Sequence, residues 1–239
     1  MNIYKLAKMY DNNSVSLCGK KGKGKDMLTA NIVARRKSKY YISNVDYHCH
    51  GKTFIEFNPA LLKCGNSYRE FLHGNITQYI YPYPDGVDIY LSDCGVYFPA
   101  QYCNELNREF KDIPTFSALS RHLGDCYLHT NAQALNRVWD KIREQSGIYI
   151  ECLSCKVIGR IVIQKIRIYE RYETALQSVP PCRLRLPLNN ADRELVRTER
   201  ERYRIQYGDI KEHTLIYLNK SKYNTRVFKD ILAKGVRVE

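Results

Sequence analysis

The chain has 239 residues, of which 44% are apolar, and a formal net charge of +13 at pH 7. This length and composition suit one large domain with a single core, and they exclude a disordered chain and a small disulfide-dependent fold. The positive charge favours a polyanionic partner: nucleotide, nucleic acid or an anionic membrane surface. The nine cysteines are odd in number, and several lie in apolar strand-like runs, which is typical of reduced thiols in the cytosol. No run approaches the roughly 20 apolar residues of a membrane span, and no targeting signal is visible.

The first predicted elements are a strand (14–18), a glycine-rich loop, a helix (26–36) and a second strand (39–45). The loop, residues 19–25, fits the pattern G-x-x-x-x-G-K. Glycines let successive backbone N–H groups point at phosphate oxygens, the helix adds its positive N-terminal end, and the last lysine reaches the β- and γ-phosphates. The alternative is a basic surface turn. The loop predicts an ATP site made of Gly19, Lys20, Lys21, Gly22, Lys23, Gly24, Lys25, Asp26 and Met27.

Asp26 departs from this pattern, because the residue after the lysine is ordinarily Ser or Thr, whose hydroxyl ligates Mg²⁺. A carboxylate can also ligate Mg²⁺, but it repels phosphate, and it can instead cap the helix. Thr29 is a poor substitute for the missing hydroxyl, since it lies most of a helical turn further on. Asp26 is therefore a candidate metal ligand, with the other two roles left open.

Two later strands end in polar residues that can complete such a site. A buried strand over 87–92 ends at Asp93, which is either a Mg²⁺-holding aspartate or an ordinary strand-end turn residue. Cys94 follows, where a general-base glutamate is expected. A further strand, 125–130, ends at Asn131, which either senses the γ-phosphate or the attacking water, or caps the next helix.

The remaining elements complete an α/β pattern. Helices are predicted over 99–110, 115–122, 136–144 and 190–207, and strands over 148–153, 160–172 and 214–218, with the 160–172 strand half exposed. These elements predict a P-loop NTPase fold with a mainly parallel sheet, helices on both faces, a β extension from about residue 148 and a C-terminal helical segment. Pro180-Pro181 predicts a boundary between an ATPase domain (1–180) and a basic appendage (181–239).

Two weaker patterns have competing interpretations. Cys152 and Cys155 form a C-x-x-C that would need a second pair, such as residues 48–50, to hold zinc; a β-hairpin or bulge is favoured. Tyrosines alternate with basic residues, as in Arg202-Tyr203-Arg204, which suits stacking of single-stranded bases but also ordinary amphipathic faces. The 192–204 segment is interpreted as a solvated, salt-bridged helix.

Together these motifs resemble the zonula occludens toxin (Zot) family, which includes the gene I assembly ATPases of filamentous phages and lies within the FtsK/HerA-like, RecA-like P-loop group. The resemblance covers roughly residues 12 to 175. Its most specific part is Arg121-His122 with the following Leu-Gly-Asp, placed between Asp93 and Asn131 as in the family. The carrying stretches are residues 19–25, 91–99, 120–131 and 140–143.

The resemblance implies roles for individual residues. Lys25 matches the family's phosphate lysine and Asp93 its Mg²⁺ aspartate, while Asn131 stands where the family has glutamine. Arg121 matches the family's arginine and is a candidate site residue without an assigned chemical role. Arg143 is a remote candidate for an arginine finger, against the favoured interpretation of an exposed helix arginine.

The resemblance also implies a biological role. It implies an ATPase with ATP and Mg²⁺ as cofactors, acting as a homo-oligomer that moves or exports single-stranded DNA, or a DNA–protein complex, during phage assembly. Such a protein works in the host cytoplasm, or at the inner face of the membrane beside a membrane-anchored phage partner. Asp26, Cys94 and Asn131 put hydrolysis in question more than binding. The alternatives are a non-hydrolysing nucleotide- or DNA-binding assembly factor and a zinc-stabilised DNA-binding module.

Overall fold

The computed structural model describes residues 1–57, 86–109 and 126–221. Its strands form one eight-stranded sheet in the order β3-β2-β4-β5-β1-β6-β7-β8. They are β1 (Val15–Cys18), β2 (Tyr40–Ser43), β3 (Thr53–Glu56), β4 (Ile89–Leu91), β5 (Leu128–Ala132), β6 (Ile148–Ile158), β7 (Ile161–Tyr169) and β8 (Ile210–Leu218). The helices are α1 (Ile3–Met9), α2 (Lys25–Val33), α3 (Cys94–Tyr97), α4 (Cys103–Glu109), α5 (Asp140–Arg143), α6 (Tyr172–Leu176) and α7 (Asn190–Tyr207), with 3-10 turns at Ala100–Tyr102 and Leu135–Arg137.

Strand direction divides the sheet into two parts. The strands from β3 through β6 in the sheet order are parallel, so their carboxyl ends meet at one edge. β7 and β8 then run antiparallel to their neighbours and form the predicted β extension. Ligand-binding loops of open parallel sheets gather at the carboxyl edge, next to a change in strand order. Here the first strand, β1, lies in the middle of the sheet between β5 and β6.

Helices cover both faces of the sheet, as predicted. Alternation along β4 shows this, because Ile89 and Leu91 join the core cluster around Trp139, whereas Tyr90 joins the opposite cluster around Leu28 of α2. α1 packs against α2 on that second face. α2 is therefore buried on nearly every side, which explains why it lacks a charged outer face. The predicted α/β class with a mainly parallel sheet is confirmed.

Several helices and strands have boundaries in the structure that differ from the predicted ones. The helix over 190–207 is confirmed exactly, but the helix over 136–144 is a 3-10 turn followed by the short α5. β5 continues to Ala132, so Asn131 lies inside a strand rather than after it. The elements α1 and β3 were not predicted. The helix predicted over 115–122 lies outside the described residues.

The division of the chain at residue 180 stays a prediction. The structure adds one relevant fact, that β8 from the second segment pairs with β7 from the first along the full length of both strands. Across the three described ranges, no helix combines the length and the apolar character needed to cross a membrane.

Candidate nucleotide-binding site

The glycine loop connects β1 to α2 at the carboxyl edge of the parallel strands. Its backbone passes so close to β6 that two positions require glycine. A Cβ added at Gly19 would lie 2.6 Å from the Cys152 carbonyl oxygen, and one added at Gly24 would lie 2.5 Å from the Cys155 Cβ. Both glycines also have positive φ, +146° and +81°. The loop conformation therefore depends on glycine for both space and dihedral angle.

Side chains of the β extension support the loop from beneath. Gln164 of β7 is fully buried, and its Nε2 donates to the Gly24 carbonyl oxygen at 3.0 Å. The Tyr217 hydroxyl of β8 donates in turn to Gln164 Oε1 at 2.7 Å. The sequence grouped Gln164 with the polar residues of a half-exposed strand. The alternation is present, but Gln164 lies on its buried side.

The C-x-x-C motif is explained by a β-bulge, which confirms the favoured interpretation. The pairing register of β6 shifts between Cys152 and Ser154. Because of this extra residue, both cysteines approach the glycine loop, although they are three positions apart. Within the described ranges, no group of three or more His, Cys, Asp or Glu side chains is placed to hold a metal ion.

The four lysines of the loop differ in exposure. Lys20 and Lys21 are exposed, Lys23 is partly covered, and Lys25 is buried at the first position of α2. Lys25 thus lies where the loop turns into the helix, as the motif requires. Met27 lies one turn into α2 and is partly buried among the core residues of that face.

Asp26 is the meeting point of three elements. The Ser92 hydroxyl, directly after β4, donates to Asp26 Oδ1, and Asn131 Nδ2 of β5 donates to the same oxygen at 2.6 Å. Asn44, after β2, fixes Ser92 by accepting from its backbone N–H at 2.7 Å and donating to its carbonyl oxygen at 2.8 Å. The carboxylate therefore points across the carboxyl edge of the sheet. The N-cap residue of α2 is Gly24, which has no capping side chain, and the Asp26 carboxylate also accepts from its own backbone N–H in the first turn of the helix.

The electrostatics of Asp26 reflect this partly enclosed position. Burial raises the pKa of the Asp26 carboxyl above its ordinary value, and the nearby charge of Asp93 acts in the same direction. The hydrogen bond from Ser92 and the positive charge of Lys25 oppose this rise. A carboxylate held this way gains from a neighbouring cation, which would replace the lost hydration.

Asp93 and Cys94 directly follow Ser92, and the Mg²⁺ role predicted for Asp93 stays a prediction. Asp93 is exposed, adopts the left-handed conformation with φ of +47°, and precedes α3. It takes no part in the hydrogen bonds that join the described residues around Asp26. Cys94 is buried in the core, and burial raises the pKa of its thiol to about 12. The side chain that follows β4 and is hydrogen-bonded to Asp26 is that of Ser92, one position before Asp93.

The other predicted residues have varied outcomes. Asn131 donates to Asp26 Oδ1, and its role toward the γ-phosphate or the attacking water stays a prediction. Arg121 and His122 lie outside the described residues. Arg143 is half-buried: its Nη1 donates to the Val138 carbonyl oxygen at 3.0 Å, and its guanidinium lies 5.2 Å from the centre of the Tyr172 ring. These internal contacts fit neither an arginine finger nor a freely exposed side chain.

The residues around Asp26 fit a hydrated magnesium ion and phosphate. A carboxylate and a hydroxyl are oxygen ligands of the type that Mg²⁺ prefers. Asn131 Oδ1 is buried and has no hydrogen-bond partner among the described residues. An unpaired buried acceptor is costly unless a water or a ligand donates to it. The structure thus leaves a polar group beside Asp26 in need of a donor.

Loop, sheet and helices together define the architecture: a glycine loop joins the central strand to a helix, at the carboxyl edge of a mainly parallel sheet with helices on both faces. The fold is that of a P-loop NTPase. No protein-family model matches the chain, and no curated protein matches its sequence.

Solved structures with a similar fold include three P-loop proteins. The N-terminal domain of zonular occludens toxin from Neisseria meningitidis matches at 12% identity over 90% of this chain and 97% of that chain, with a TM-score of 0.45. The genome packaging NTPase B204 of Sulfolobus turreted icosahedral virus 2, in complex with ATP-gammaS, matches at 12% identity over 67% of this chain and 93% of that chain, with a TM-score of 0.42. A KaiC-like protein from Pyrococcus horikoshii matches at 11% identity over 68% of this chain and 81% of that chain, with a TM-score of 0.41. The Zot resemblance seen in the sequence thus has its counterpart among the solved structures, at the level of fold.

Proposed function

We propose that this chain binds MgATP at the loop of residues 19–25 and hydrolyses it to drive assembly of a phage or export of its single-stranded DNA. The observation that carries the nucleotide site is the Asp26 cluster, in which side chains from α2, β4 and β5 meet directly beside the glycine loop. The transport role rests on the +13 charge and on the sequence resemblance, and it includes a homo-oligomer and a membrane-anchored phage partner.

Phosphate binding falls to the loop and to Lys25. Backbone N–H groups of the loop and of the first turn of α2 surround the phosphates, where the helix N-terminus favours negative charge. The buried Lys25 amine adds a fixed positive charge at the base of the loop. Water is excluded from this base because Gln164 and β6 pack beneath it. These groups orient the terminal phosphate toward Asp26.

The metal site in this proposal contains an exchange of two residue types. In P-loop proteins the hydroxyl stands after the loop lysine and the carboxylate stands at the end of a neighbouring strand. Here the carboxylate, Asp26, follows the lysine, and the hydroxyl, Ser92, ends β4. The two side chains are hydrogen-bonded to each other, so the same pair of ligand types faces the same space. Asp26 and Ser92 would hold a Mg²⁺ ion here, which would supply positive charge to the nucleotide phosphates.

With this exchange, the role proposed for Asp93 is no longer metal binding but activation of the attacking water. Because Ser92 occupies the strand-end position, Asp93 occupies the position directly after it, where a carboxylate can orient or deprotonate the attacking water. The exposure of Asp93 and its closeness to Asp26, whose pKa its charge raises, support this role. Asn131, through its unpaired Oδ1, is the second group that can hold this water.

A non-hydrolysing nucleotide-binding assembly factor is the second candidate. The observation that favours it is Cys94, whose buried, neutral thiol cannot act as a base. The remaining acidic candidate, Asp93, is shorter than glutamate. The two functions differ in turnover, not in binding.

Calorimetry and a turnover assay on the purified chain test both candidates. Wild type should bind ATP more tightly with Mg²⁺ than with a chelator, and Lys25→Ala should lose this binding. Lys37→Ala removes an exposed lysine just past the C-terminal end of the same helix and serves as the matched control. Binding with turnover supports the ATPase, binding without turnover supports the assembly factor, and no binding at millimolar ATP would refute both.

A further inference from the structure

Four arginines form a single face on α7. Arg193, Arg197, Arg200 and Arg204 follow one another at intervals of three or four residues, so they lie on one side of the helix. All four are exposed. At 1.5 Å per residue, they extend over about 16 Å of helix. We call these residues the arginine face.

A fifth arginine extends this face onto the sheet. Arg171, two residues after the end of β7, donates from Nη1 to the Ile205 carbonyl oxygen at 2.9 Å and to the Gln206 carbonyl oxygen at 3.3 Å. It is therefore held at the C-terminal end of α7. Between Arg171 and α7 lies an open cleft of about 530 Å³, lined by Arg171, Arg197, Arg200, Glu201, Arg204 and Ile205.

Much of this positive charge has no internal counterion. Among the described residues, Arg197 and Arg200 form no ion pair, and Arg204 pairs with Asp209 at 3.0 Å. No ion pair joins two side chains of α7 in this part of the chain, so the salt-bridged helix expected from the sequence is not formed. Four arginines and a single carboxylate, that of Glu201, line the cleft, so positive charge is in excess there, and an anion bound in the cleft would reduce the repulsion between the arginines.

We propose that the arginine face and Arg171 bind the phosphate backbone of single-stranded nucleic acid. Guanidinium groups spaced along a helix can contact successive phosphates. Tyr203 and Tyr207, whose ring centres are 4.8 Å apart, lie beside this face and offer a surface on which unpaired bases can stack. A duplex keeps its bases inside and would leave these rings unused.

A membrane surface suits α7 less well. A helix that lies on a bilayer needs a continuous apolar face opposite its charges. On α7 the exposed aliphatic side chains are Leu195 and Ile205, which are ten positions apart, while Val196 is buried against the protein. The helix therefore has a basic face without an apolar face to insert.

This inference deepens the proposed function, since it names the surface that contacts transported DNA, and it rests on that function only for its biological role. The contact itself needs no nucleotide and lies away from the glycine loop. Binding is therefore measured without ATP. If the wild-type chain binds DNA but not MgATP, the proposed function is refuted. If it binds MgATP but not DNA, this inference is refuted.

The test measures fluorescence anisotropy of a labelled oligothymidine of about 20 nucleotides between about 50 and 200 mM salt. Each phosphate contact on a single strand contributes about −0.7 to the slope of log K against log salt. Arg197→Ala/Arg200→Ala should therefore flatten the slope by about 1.4 and weaken binding about tenfold at the lower salt. Arg197→Lys/Arg200→Lys keeps both charges and should retain most of the slope.

Arg202→Ala is the matched control, because Arg202 lies on the opposite side of the same helix and is equally exposed. It should change affinity less than twofold. Equal losses per removed charge, so that Arg202→Ala loses half as much as the double alanine variant or more, would reduce the effect to net charge and overturn the proposal. Binding to anionic vesicles, or to a duplex of equal length, in preference to the oligothymidine would overturn it as well.

Discussion

Exchanging Asp26 and Ser92 tests the metal site directly. In wild type one carboxylate and one hydroxyl share a hydrogen bond, and Asn131 Nδ2 donates to the same carboxylate at 2.6 Å. Ser92→Asp alone places a second carboxylate against the first. Two unit charges about 4 Å apart repel by about 4 kcal/mol at an effective dielectric constant of about 20. We therefore expect Ser92→Asp to lower the free energy of unfolding by up to about 4 kcal/mol.

Asp26→Ser alone leaves two hydroxyls and no carboxylate. It should lower MgATP affinity at least about tenfold, or about 1.4 kcal/mol, while affinity in chelator changes little. Asp26→Ser/Ser92→Asp restores one carboxylate and one hydroxyl, each on the element where P-loop proteins ordinarily have it. It should regain both stability and the Mg²⁺ dependence of binding, with a coupling free energy of about 3 kcal/mol.

Two measurements are needed. Calorimetry with Mg²⁺ or chelator gives the metal dependence of ATP binding, and fluorescence of the single, fully buried Trp139 gives the free energy of unfolding. The variant Asp93→Ser distinguishes a metal held by Asp26 and Ser92 from a metal held by Asp93, as the sequence predicted. It should keep the Mg²⁺ dependence and lose turnover.

Three results would contradict the proposal that Asp26 and Ser92 have exchanged the usual positions of the carboxylate and the hydroxyl. A double variant that binds MgATP no better than Asp26→Ser would show that the two residues do not share one site. Tighter MgATP binding by Asp26→Ser than by wild type would show that Asp26 only repels phosphate. If ATP binding by Asp93→Ser no longer depends on Mg²⁺, Asp93 is a ligand of the metal, as the sequence predicted.

Three further predictions concern buried polar groups. Gln164→Leu should lower the free energy of unfolding by about 2 kcal/mol and weaken ATP binding, because it leaves the Tyr217 hydroxyl unpaired and removes one of the two hydrogen bonds to the Gly24 carbonyl oxygen. Adding Tyr217→Phe should restore part of the stability but not the binding, as denaturant titration and calorimetry would show. Asp88→Asn should lower the free energy of unfolding by about 3 kcal/mol, because half-buried Arg36 loses the carboxylate that lies 2.6 Å away and retains only its ion pair with Asp11. Burial holds the pKa of His129 below its ordinary value, so the unfolded chain takes up a proton there that the folded chain does not, and stability should fall as pH drops below about 6.5. Thermal melts of His129→Gln should show a smaller loss between pH 7.5 and pH 5.5, and an unchanged loss would refute this assignment.

The sequence located the loop and its neighbours well because their signals are local. Glycine spacing, a strand before and a helix after are all contained in about 25 residues of chain. The sequence also placed the ends of two strands near the loop, since the carboxyl ends of parallel strands share an edge. It missed Ser92 because serine is unremarkable beside an aspartate, and only side-chain direction distinguishes the two positions. The one available signal was that Asp26 lacked its usual hydroxyl partner.

Charge was the least reliable guide at the level of single residues. The alternating acids and bases of 192–204 predicted internal ion pairs, but the helical period gathers four arginines on one side, and no ion pair joins two side chains of α7 among the described residues. Gln164 appeared as one polar residue among several in a strand, and only its pairing partners show that it supports the loop. In both cases, the direction in which each side chain points determines its contacts.

The sequence by itself determined the class of fold, the place of the glycine loop and the exact length of α7, because backbone preferences and hydrophobic periods act over short distances. The tertiary structure decided which carboxylate meets which hydroxyl. Asp26 and Ser92 are 66 positions apart, and their contact exists only because β1 and β4 both pair with β5 in one sheet. The proposed metal site is thus a property of strand order, which no local pattern encodes.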